Sequence, residues 1–333
     1  AGHGPMAPAA AGAAAGQLGA GVTPELARAL IDDMSRGVLP KEARAMWIVQ
    51  QAAAQLDALP TLVEVEVPPE AKLHVVGDLH GQFPELLRVL ELCGPPEPQR
   101  NSILFNGDFV DRGPRSVEVI LSLLALMLAY PGCVFLNRGN HETPSMNRVY
   151  GFEDEVLRKY SQAAFDAFQR AFRCLPLATV INGCVLVLHG GLFSRDGVSL
   201  RDIAAVERRR SDFAGGLALE ALWSDPSPEP GRGPSPRGAG VHFGPDVTKR
   251  FCEENGLQCC IRSHEVVQNG YEWQPGGRCV TVFSAANYVG QVGNLGAVCH
   301  ITPRPGASRA VDLAFSTFAG AGAAGRPGRR SRL

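Results

Sequence analysis

Leu73-His74-Val75-Val76-Gly77-Asp78-Leu79-His80-Gly81 opens a pattern that the chain repeats twice more. Ile103-Leu104-Phe105-Asn106-Gly107-Asp108-Phe109-Val110-Asp111-Arg112-Gly113 follows, then Cys133-Val134-Phe135-Leu136-Asn137-Arg138-Gly139-Asn140-His141-Glu142. Each time a short apolar run enters a glycine-containing turn that carries Asp, Asn or His. Helical stretches at Pro84 to Cys93 and Ser116 to Ala129 lie between them, so the order reads β-α-β-α-β. Gly77 and Gly107 are 30 residues apart and Gly107 and Gly139 are 32, close to one βαβ unit. The turns should therefore recur at one end of parallel strands, where sheets of this kind bind ligands.

Toward the N-terminus, Thr23-Pro24-Glu25 signals a helix by a cap residue and a proline at the first helical position, and a second helix runs from about Lys41 to Leu56. Met46, Val49, Ala53 and Leu56 give that second helix an apolar stripe for packing on the body. Toward the C-terminus, a helical stretch from about Gly151 to Phe172 precedes two strands, Leu177 to Ile181 and Cys184 to Leu188. Asn182-Gly183 joins them as a hairpin turn. A helix near Leu200 to Arg208, a Pro/Gly/Ser-rich loop from Ser224 to Gly244, and strands at Cys260 to Ser263, Arg278 to Ser284 and Ala297 to Ile301 complete the reading. The later strands are expected to form a second sheet. The fold class is α/β, a central β-sandwich flanked by helices.

The 333 residues suffice for one large domain with tails, expected at 22–318 between Ala/Gly-rich residues 1–21 and a basic tail at 319–333, both disordered. Arg326, Arg329, Arg330 and Arg332 in that tail read as a solvated cluster. With 45% hydrophobic and 20% charged residues and a formal net charge of −1, nothing draws the whole chain to nucleic acid or to an anionic membrane. Val119 to Ala129 is the longest apolar run and, at 11 residues, is too short to cross a bilayer. Nine scattered cysteines with no Cys-x-x-Cys pair point to a reducing compartment. The opening stretch lacks a signal-peptide pattern and does not begin with Met, which reads as a fragment or a processed start.

Asp and Asn oxygens with imidazole nitrogens suit Mn, Fe, Zn or Mg, and no cysteine falls inside the turn segments. Asp78 and His80, two apart at a strand end, leave on one face and can converge on one cation. Taken alone, such a pair is more often a hydrogen-bonded turn with a solvent-facing imidazole. Asp108 is the natural bridge, since one carboxylate offers two oxygens to two cations ~3.5–4 Å apart. Asn140 can give an amide oxygen to the second cation, with His189 and His264 completing it; either histidine by itself could instead be structural. Asp111 and Arg112 could form a surface ion pair, but at such a site the planar guanidinium has a use in binding two phosphate oxygens. His141 is left for proton transfer to a leaving alkoxide, with Asp111 holding its ring. No Walker loop is present, which sets aside kinase and ATPase readings.

These segments, together with His189-Gly190-Gly191, Leu222-Trp223-Ser224-Asp225-Pro226, Arg262-Ser263-His264-Glu265 and Ser284-Ala285-Ala286-Asn287-Tyr288, resemble the phosphoprotein phosphatase family of Ser/Thr-specific enzymes. The resemblance covers about residues 23 to 315. It implies a calcineurin-like metallophosphoesterase fold and hydrolysis of phosphoserine and phosphothreonine in proteins, by direct attack of a hydroxide bridging two divalent metals. It implies that Asp78, His80 and Asp108 hold one metal and Asp108, Asn140, His189 and His264 the other. It further implies that Arg112 and Arg237 clamp the phosphate, that Tyr288 lines the pocket and that His141 with Asp111 serves the leaving group. Phosphoprotein substrates and a cytoplasmic or nuclear location are expected on the same ground. Met146 to Phe152, Gly244 to Lys249 and Gly276 to Phe283 point to a branch whose members carry N-terminal tetratricopeptide repeats that bind chaperones. No 34-residue helical repeat occurs in this sequence, and a chaperone link would require one. Ala286 and Val289 stand where relatives usually have proline and cysteine, so capture by cysteine-directed cyclic-peptide toxins is not expected. Two other readings remain: a dinucleoside polyphosphate or other small phosphoester hydrolase on the same fold, and a catalytically silent phosphoprotein-binding scaffold.

Overall fold

A computed structural model describes residues 21–307, 309–320 and 331–332. The tails expected at 1–21 and 319–333 fall largely outside these residues. Helix α1 (Pro24–Ser35) starts as its sequence dictates, with the Thr23 hydroxyl accepting the Leu26 amide. Helix α2 (Glu42–Asp57) buries Ala45, Ile48, Val49, Ala52 and Leu56, while Met46 and Ala53 are only half-buried. The buried stripe is thus rotated from the expected one, taking in Ala45, Ile48 and Ala52 beside Val49 and Leu56.

Strand β1 (Leu62–Val65) had no counterpart in the sequence reading. The β-α-β-α-β unit follows as β2 (Lys72–Val76), α3 (Phe83–Cys93), β3 (Asn101–Phe105), α4 (Ser116–Ala129) and β4 (Val134–Leu136). Its strands are parallel, with Val76 opposite Phe105 and Phe105 opposite Leu136, so the three glycine turns leave the same edge. Helix α4 is apolar almost all round and is buried accordingly, packing against α1 and α2.

The single helical stretch expected at Gly151 to Phe172 is divided. Helices α5 (Pro144–Tyr150) and α6 (Phe152–Lys159) share Gly151 (φ +109) as their hinge, and Ser161 caps α7 (Gln162–Cys174) by accepting the Ala164 amide. Strands β5 (Ala178–Ile181) and β6 (Val185–Leu188) form the expected hairpin, with Asn182 and Gly183 both left-handed as a type I′ turn requires.

Helix α8 (Leu200–Ala204) has a Ser199/Asp202 capping box and ends short of Arg208. The Arg208 guanidinium is drawn inward onto the carbonyls of Leu56, Leu59 and Cys174, which ties that segment to the ends of α2 and α7. Helix α9 (Gly216–Trp223) was not anticipated. The expected loop from Ser224 to Gly244 contains three short strands, β7 (Asp225–Pro226), β8 (Arg232–Pro234) and β9 (Val241–Phe243), in a small sheet. Helix α10 (Pro245–Glu254), begun by its proline, leads to β10 (Cys259–Arg262), β11 (Tyr271–Trp273), β12 (Cys279–Val282), β13 (Gly296–Pro303), β14 (Val311–Phe318) and β15 (Ser331–Arg332).

Two six-stranded sheets result, the first β15-β14-β13-β2-β3-β4 and the second β1-β5-β6-β10-β12-β11. The expectation that all later strands join a second sheet fails at β13, which pairs antiparallel with β2 and so extends the first. The sheets face each other through alternate residues: Leu73, Val75 and Leu104 on one side meet Val185, Val187, Ile261 and Val280 on the other. Helices α1 to α4, α6 and α7 cover the first sheet's outer face, and α8 to α10 cover the second.

At one edge the sheets are stitched together. Gly77 N–H donates to Ser284 Oγ (2.8 Å), and the Asn106 side-chain amide donates to Leu188 O and Ser263 Oγ (both 2.9 Å). Gly77 is required there, since a Cβ would lie 2.0 Å from Val282 O. This stitched edge carries the turns that follow Gly77, Gly107 and Gly139 and the His189 segment.

Candidate active site

Seven non-glycine residues in the loops of this edge adopt left-handed backbone: His80, Asp108, Asp111, Arg112, His264, Asn287 and Val289. Elsewhere among the described residues only Gln99 and Asn182 do so. Such conformations persist where surrounding structure over-determines them, which happens at functional sites.

Each histidine is aimed by its other ring nitrogen. His80 Nδ1 donates to Val110 O (3.0 Å) and His189 Nδ1 donates to Asn106 O (2.8 Å), so Nε2 of both faces the cleft. Each carboxylate is held by one oxygen: Asp78 Oδ1 accepts the His264 amide (3.0 Å) and Asp108 Oδ1 accepts the His141 amide (2.9 Å). Asp108 Oδ2 then stands 3.5 Å from His80 Nε2 and 3.3 Å from His189 Nε2, between the two halves of the site. Asp78 Oδ2 stands 3.5 Å from His80 Nε2 and has no hydrogen-bond partner although buried.

The Asn140 amide oxygen faces His189 Nε2 and His264 Nδ1, each at 2.9 Å, and Asp108 Oδ2 at 3.2 Å. Turning the amide would satisfy these acceptors with its NH₂ group in a cation-free protein. With the oxygen inward, acceptors of Asn140, Asp108 and His264 converge, and a cation there would displace the proton that His189 Nε2 otherwise shares with Asp108. That donor set, with the orphaned Asp78 oxygen, fits hard or borderline divalent cations. Asp108 belongs to both of the ligand-distance clusters, one with His80 and His141 and the other with His189 and His264.

The electrostatics agree. Burial alone would raise the Asp108 carboxyl, but His189, His141 and His80 hold it well below its ordinary value. Burial would lower His189, but Asp108 raises it to about 9. His264 goes the other way, pushed well down by burial and by the charges of His189 and Arg237.

His141 Nδ1 donates to Asp111 Oδ2 (2.8 Å), leaving its Nε2 unshared, and its ring lies edge-on to His80 at 4.7 Å. Asp111 is itself fixed, accepting from Phe152 N–H (2.9 Å) and from the Asn147 side-chain amide (2.9 Å). Arg112 and Arg237 both line the cleft of ≈ 300 Å³, with Tyr288, His141, Met146, Tyr150, Trp223 and Val266. The Arg112 guanidinium lies 3.7 Å over the Tyr150 ring. Arg237 gives its Nε to Asp225 Oδ2 (2.6 Å), so unlike Arg112 it is already engaged by a carboxylate. Tyr288 stacks obliquely 5.2 Å from His80, and burial pushes its hydroxyl strongly up, keeping it a neutral donor.

Sequence reasoning missed the groups that fasten these. Glu142, quoted in its motif but given no task, accepts Asp108 N–H and Gly139 N–H on Oε2 (both 2.8 Å) and Phe109 N–H on Oε1 (2.9 Å). It locks two turns together; burial and Asp108 push its carboxyl up to about 7. Asn147 bridges Asp111 and the His141 carbonyl, and Arg262 holds Asp225 and the Gly190 carbonyl. The available signal was their place inside the motifs, beside glycines that allow close backbone approach. Gly139 is the clearest, where a Cβ would meet Asp108 Oδ1 at 2.2 Å.

Residues 71–268 match the family model described as calcineurin-like phosphoesterase. The chain is 52% identical over 257 residues to serine/threonine-protein phosphatase 5 of Homo sapiens, covering 77% of this chain and 51% of that protein. It is 50% identical over 259 residues to serine/threonine-protein phosphatase T of Schizosaccharomyces pombe, covering 77% and 54%. The chain thus spans about half the length of these curated relatives. A solved Saccharomyces cerevisiae protein serine/threonine phosphatase with similarity to human phosphatase PP5 superposes with a TM-score of 0.85 at 38% identity, covering 92% of this chain and 99% of that one. On the matched residues, the shared fold and the geometry of its stitched edge, the chain belongs to the calcineurin-like phosphoesterase family.

Proposed function

We propose that the chain hydrolyses phosphoserine and phosphothreonine in proteins, using two divalent cations of the Mn, Fe or Zn kind. The observation that carries this is one cleft that brings together five buried ligand-type residues, two arginines and a histidine–carboxylate pair, with a sixth ligand-type residue, His189, 3.3 Å from Asp108. Asp78, His80 and Asp108 would hold one cation and Asp108, Asn140, His189 and His264 the other. When bound, such a pair neutralises phosphate charge and lowers the pKa of water to supply a nucleophile.

The remaining work falls to this chain's own groups. Arg112 presents its guanidinium, braced on Tyr150, to two oxygens of the phosphate. Arg237 closes the opposite side, oriented by Asp225. Protonated His141 gives the Nε2 proton to the leaving serine or threonine oxygen, while Asp111 stabilises the imidazolium and fixes the ring. No side chain needs to become phosphorylated. The similarity to serine/threonine-protein phosphatases favours protein substrates over dinucleoside polyphosphates, and the complete ligand set speaks against a silent scaffold. The free thiols throughout suit a cytoplasmic or nuclear setting.

Phosphate release from a phosphothreonine peptide by metal-stripped protein, with and without Mn²⁺, tests the reading. Mn²⁺-dependent release that Asp108→Asn abolishes is the expected result. A strong preference for a dinucleoside tetraphosphate, or no release by a Mn²⁺-loaded protein, would overturn it.

A further inference from the structure

Cys252 on α10 and Cys260 on β10 bring their sulfurs to 3.9 Å of each other inside the protein. Both are buried, on the outer face of the second sheet, and a turn of four residues, 255–258, connects their elements. Leu257 N–H closes that turn on Cys252 O (2.8 Å), which fixes the two cysteines against each other. We propose that this pair is a redox modification site, converted to a disulfide by hydrogen peroxide, and that the bond perturbs the catalytic edge through β10.

The pair has the polarity that such chemistry requires. Of the nine cysteines, Cys252 alone is shifted downward, by the hydrogen bond from Cys260 and the nearby Arg278 charge, against the effect of burial. The other eight thiols are all pushed up, Cys260 first by its bond to Cys252 and then by burial, the rest chiefly by burial. Cys252, with Arg278 nearby, is therefore the more readily ionised of the two and is assigned the attacking role. Its sulfur attacks one peroxide oxygen, breaking the O–O bond to give a sulfenic acid and hydroxide, which takes up the thiol's proton as water. Cys260 sulfur then attacks the Cys252 sulfur, forming S–S and releasing the sulfenic oxygen as a second water. Two thiols are oxidised by two electrons and one peroxide is reduced.

The sulfurs must close from 3.9 Å to about 2.05 Å. Strand β10 cannot follow freely. Two residues beyond Cys260, Arg262 holds Gly190 O and Asp225, Ser263 holds His189 O and Asn106, and His264 enters the cleft. Contraction toward α10 therefore pulls on the segment that carries His264 and orients Arg237 through Asp225. Cys279, register partner of Cys260 on β12, is a neighbouring thiol that could compete.

The test treats the full, reduced, metal-stripped chain with hydrogen peroxide, quenches with catalase, alkylates and maps by mass spectrometry. A Cys252–Cys260 linked peptide, removed by dithiothreitol and absent in Cys252→Ser and Cys260→Ala, is expected. All thiols free, a sulfinic acid at Cys252 or a Cys260–Cys279 linkage would overturn the site, and the wild-type map decides this even if a variant folds poorly. After Mn²⁺ is added, the oxidised chain should turn over a phosphothreonine peptide about tenfold more slowly, as a displacement of an ångström or so allows. Thiol should restore the rate, and Cys252→Ser should be insensitive to peroxide. A mapped disulfide with unchanged turnover would overturn the coupling. This second arm rests on the phosphatase reading; an inactive reduced chain would count against that reading and leave the linkage map standing.

Discussion

The half of the site built on the first sheet and the half built on the second are held in different ways. Asp78, His80, Asp108, Asn140 and His141 sit on three adjacent turns of one parallel unit, and Glu142 alone gathers three of their backbone amides. The second half draws His189, Arg237, His264 and Tyr288 from four separate connections. There the fastening runs through side chains such as Arg262 and Asp225 and through the turn at Asn287 to Gly290. Val289 in that turn is left-handed and 43% exposed, whereas the left-handed residues of the first half are buried or backed by buried neighbours. The difference teaches a division of labour: the first half fixes the positions of charge, and the second adapts the wall that a substrate meets.

His141→Asn should break this division most visibly. Removing the proton donor is expected to lower kcat by about 10²- to 10⁴-fold while KM changes little. Asp111→Asn should cost less, again lowering kcat with little change in KM. Steady-state kinetics on a phosphothreonine peptide read both, and a KM effect larger than the kcat effect would move His141 from proton transfer to binding.

The contrast also explains what the sequence made legible. The first half could be read because a parallel βαβ unit repeats its geometry, so Gly77, Gly107 and Gly139 recur at fixed spacing with their ligands beside them. His189 and His264 lie at strand ends too, but nothing local distinguishes them from structural histidines; the family resemblance supplied their partners. Strand β13 was placed in the wrong sheet because antiparallel pairing to β2 spans more than 200 residues and leaves no local mark. Helices α9 and α10 flank the Pro/Gly/Ser-rich loop and were not read as helices, although Gly244-Pro245 is a helix start. Glu142, Asn147 and Arg262 act only by closing distances that the fold creates, which no pattern along the chain records.

Glu142→Gln tests how rigidly the first half is fastened. A carboxylate accepts from three N–H groups, whereas a carboxamide must turn its NH₂ toward at least one of them. The unsatisfied amides should cost about 1–3 kcal/mol of stability. Loosening Asp108 should weaken Mn²⁺ binding about 10- to 100-fold, as loss of a ligand's supporting bond commonly does. Thermal melts with Mn²⁺ titration measure both, and an unaltered affinity would show that Asp108 is positioned without Glu142.

The second half contributes its own pH signature in the metal-free protein. His189 is raised from 6.5 to about 9 by Asp108, so its charged form stabilises the fold fully below about pH 6.5. That contribution is lost as pH rises through 9. A divalent cation must displace the same proton, so Mn²⁺ affinity should climb between pH 6.5 and 9 with proton release. Calorimetry in two buffers of different ionisation enthalpy reads the protons. Metal-free melting temperature should fall over that interval, and His189→Asn should remove both slopes. Slopes that survive in His189→Asn would assign the proton to another group.

The smallest effect is expected at Val289, and it bears directly on the adaptable wall. A β-branched residue at φ +50 carries strain of about 1–2 kcal/mol relative to glycine. Val289→Gly relieves it but enlarges the entropy of the unfolded chain by about 0.5–1 kcal/mol. Net stability should therefore rise by no more than about 1 kcal/mol. The informative number is KM: if the strained turn holds Tyr288 against His80, releasing it should raise KM for a phosphopeptide a few-fold with kcat and Mn²⁺ affinity unchanged. A change in Mn²⁺ affinity would instead tie the turn to the charge-fixing half, and the two halves would then have to be treated as one unit.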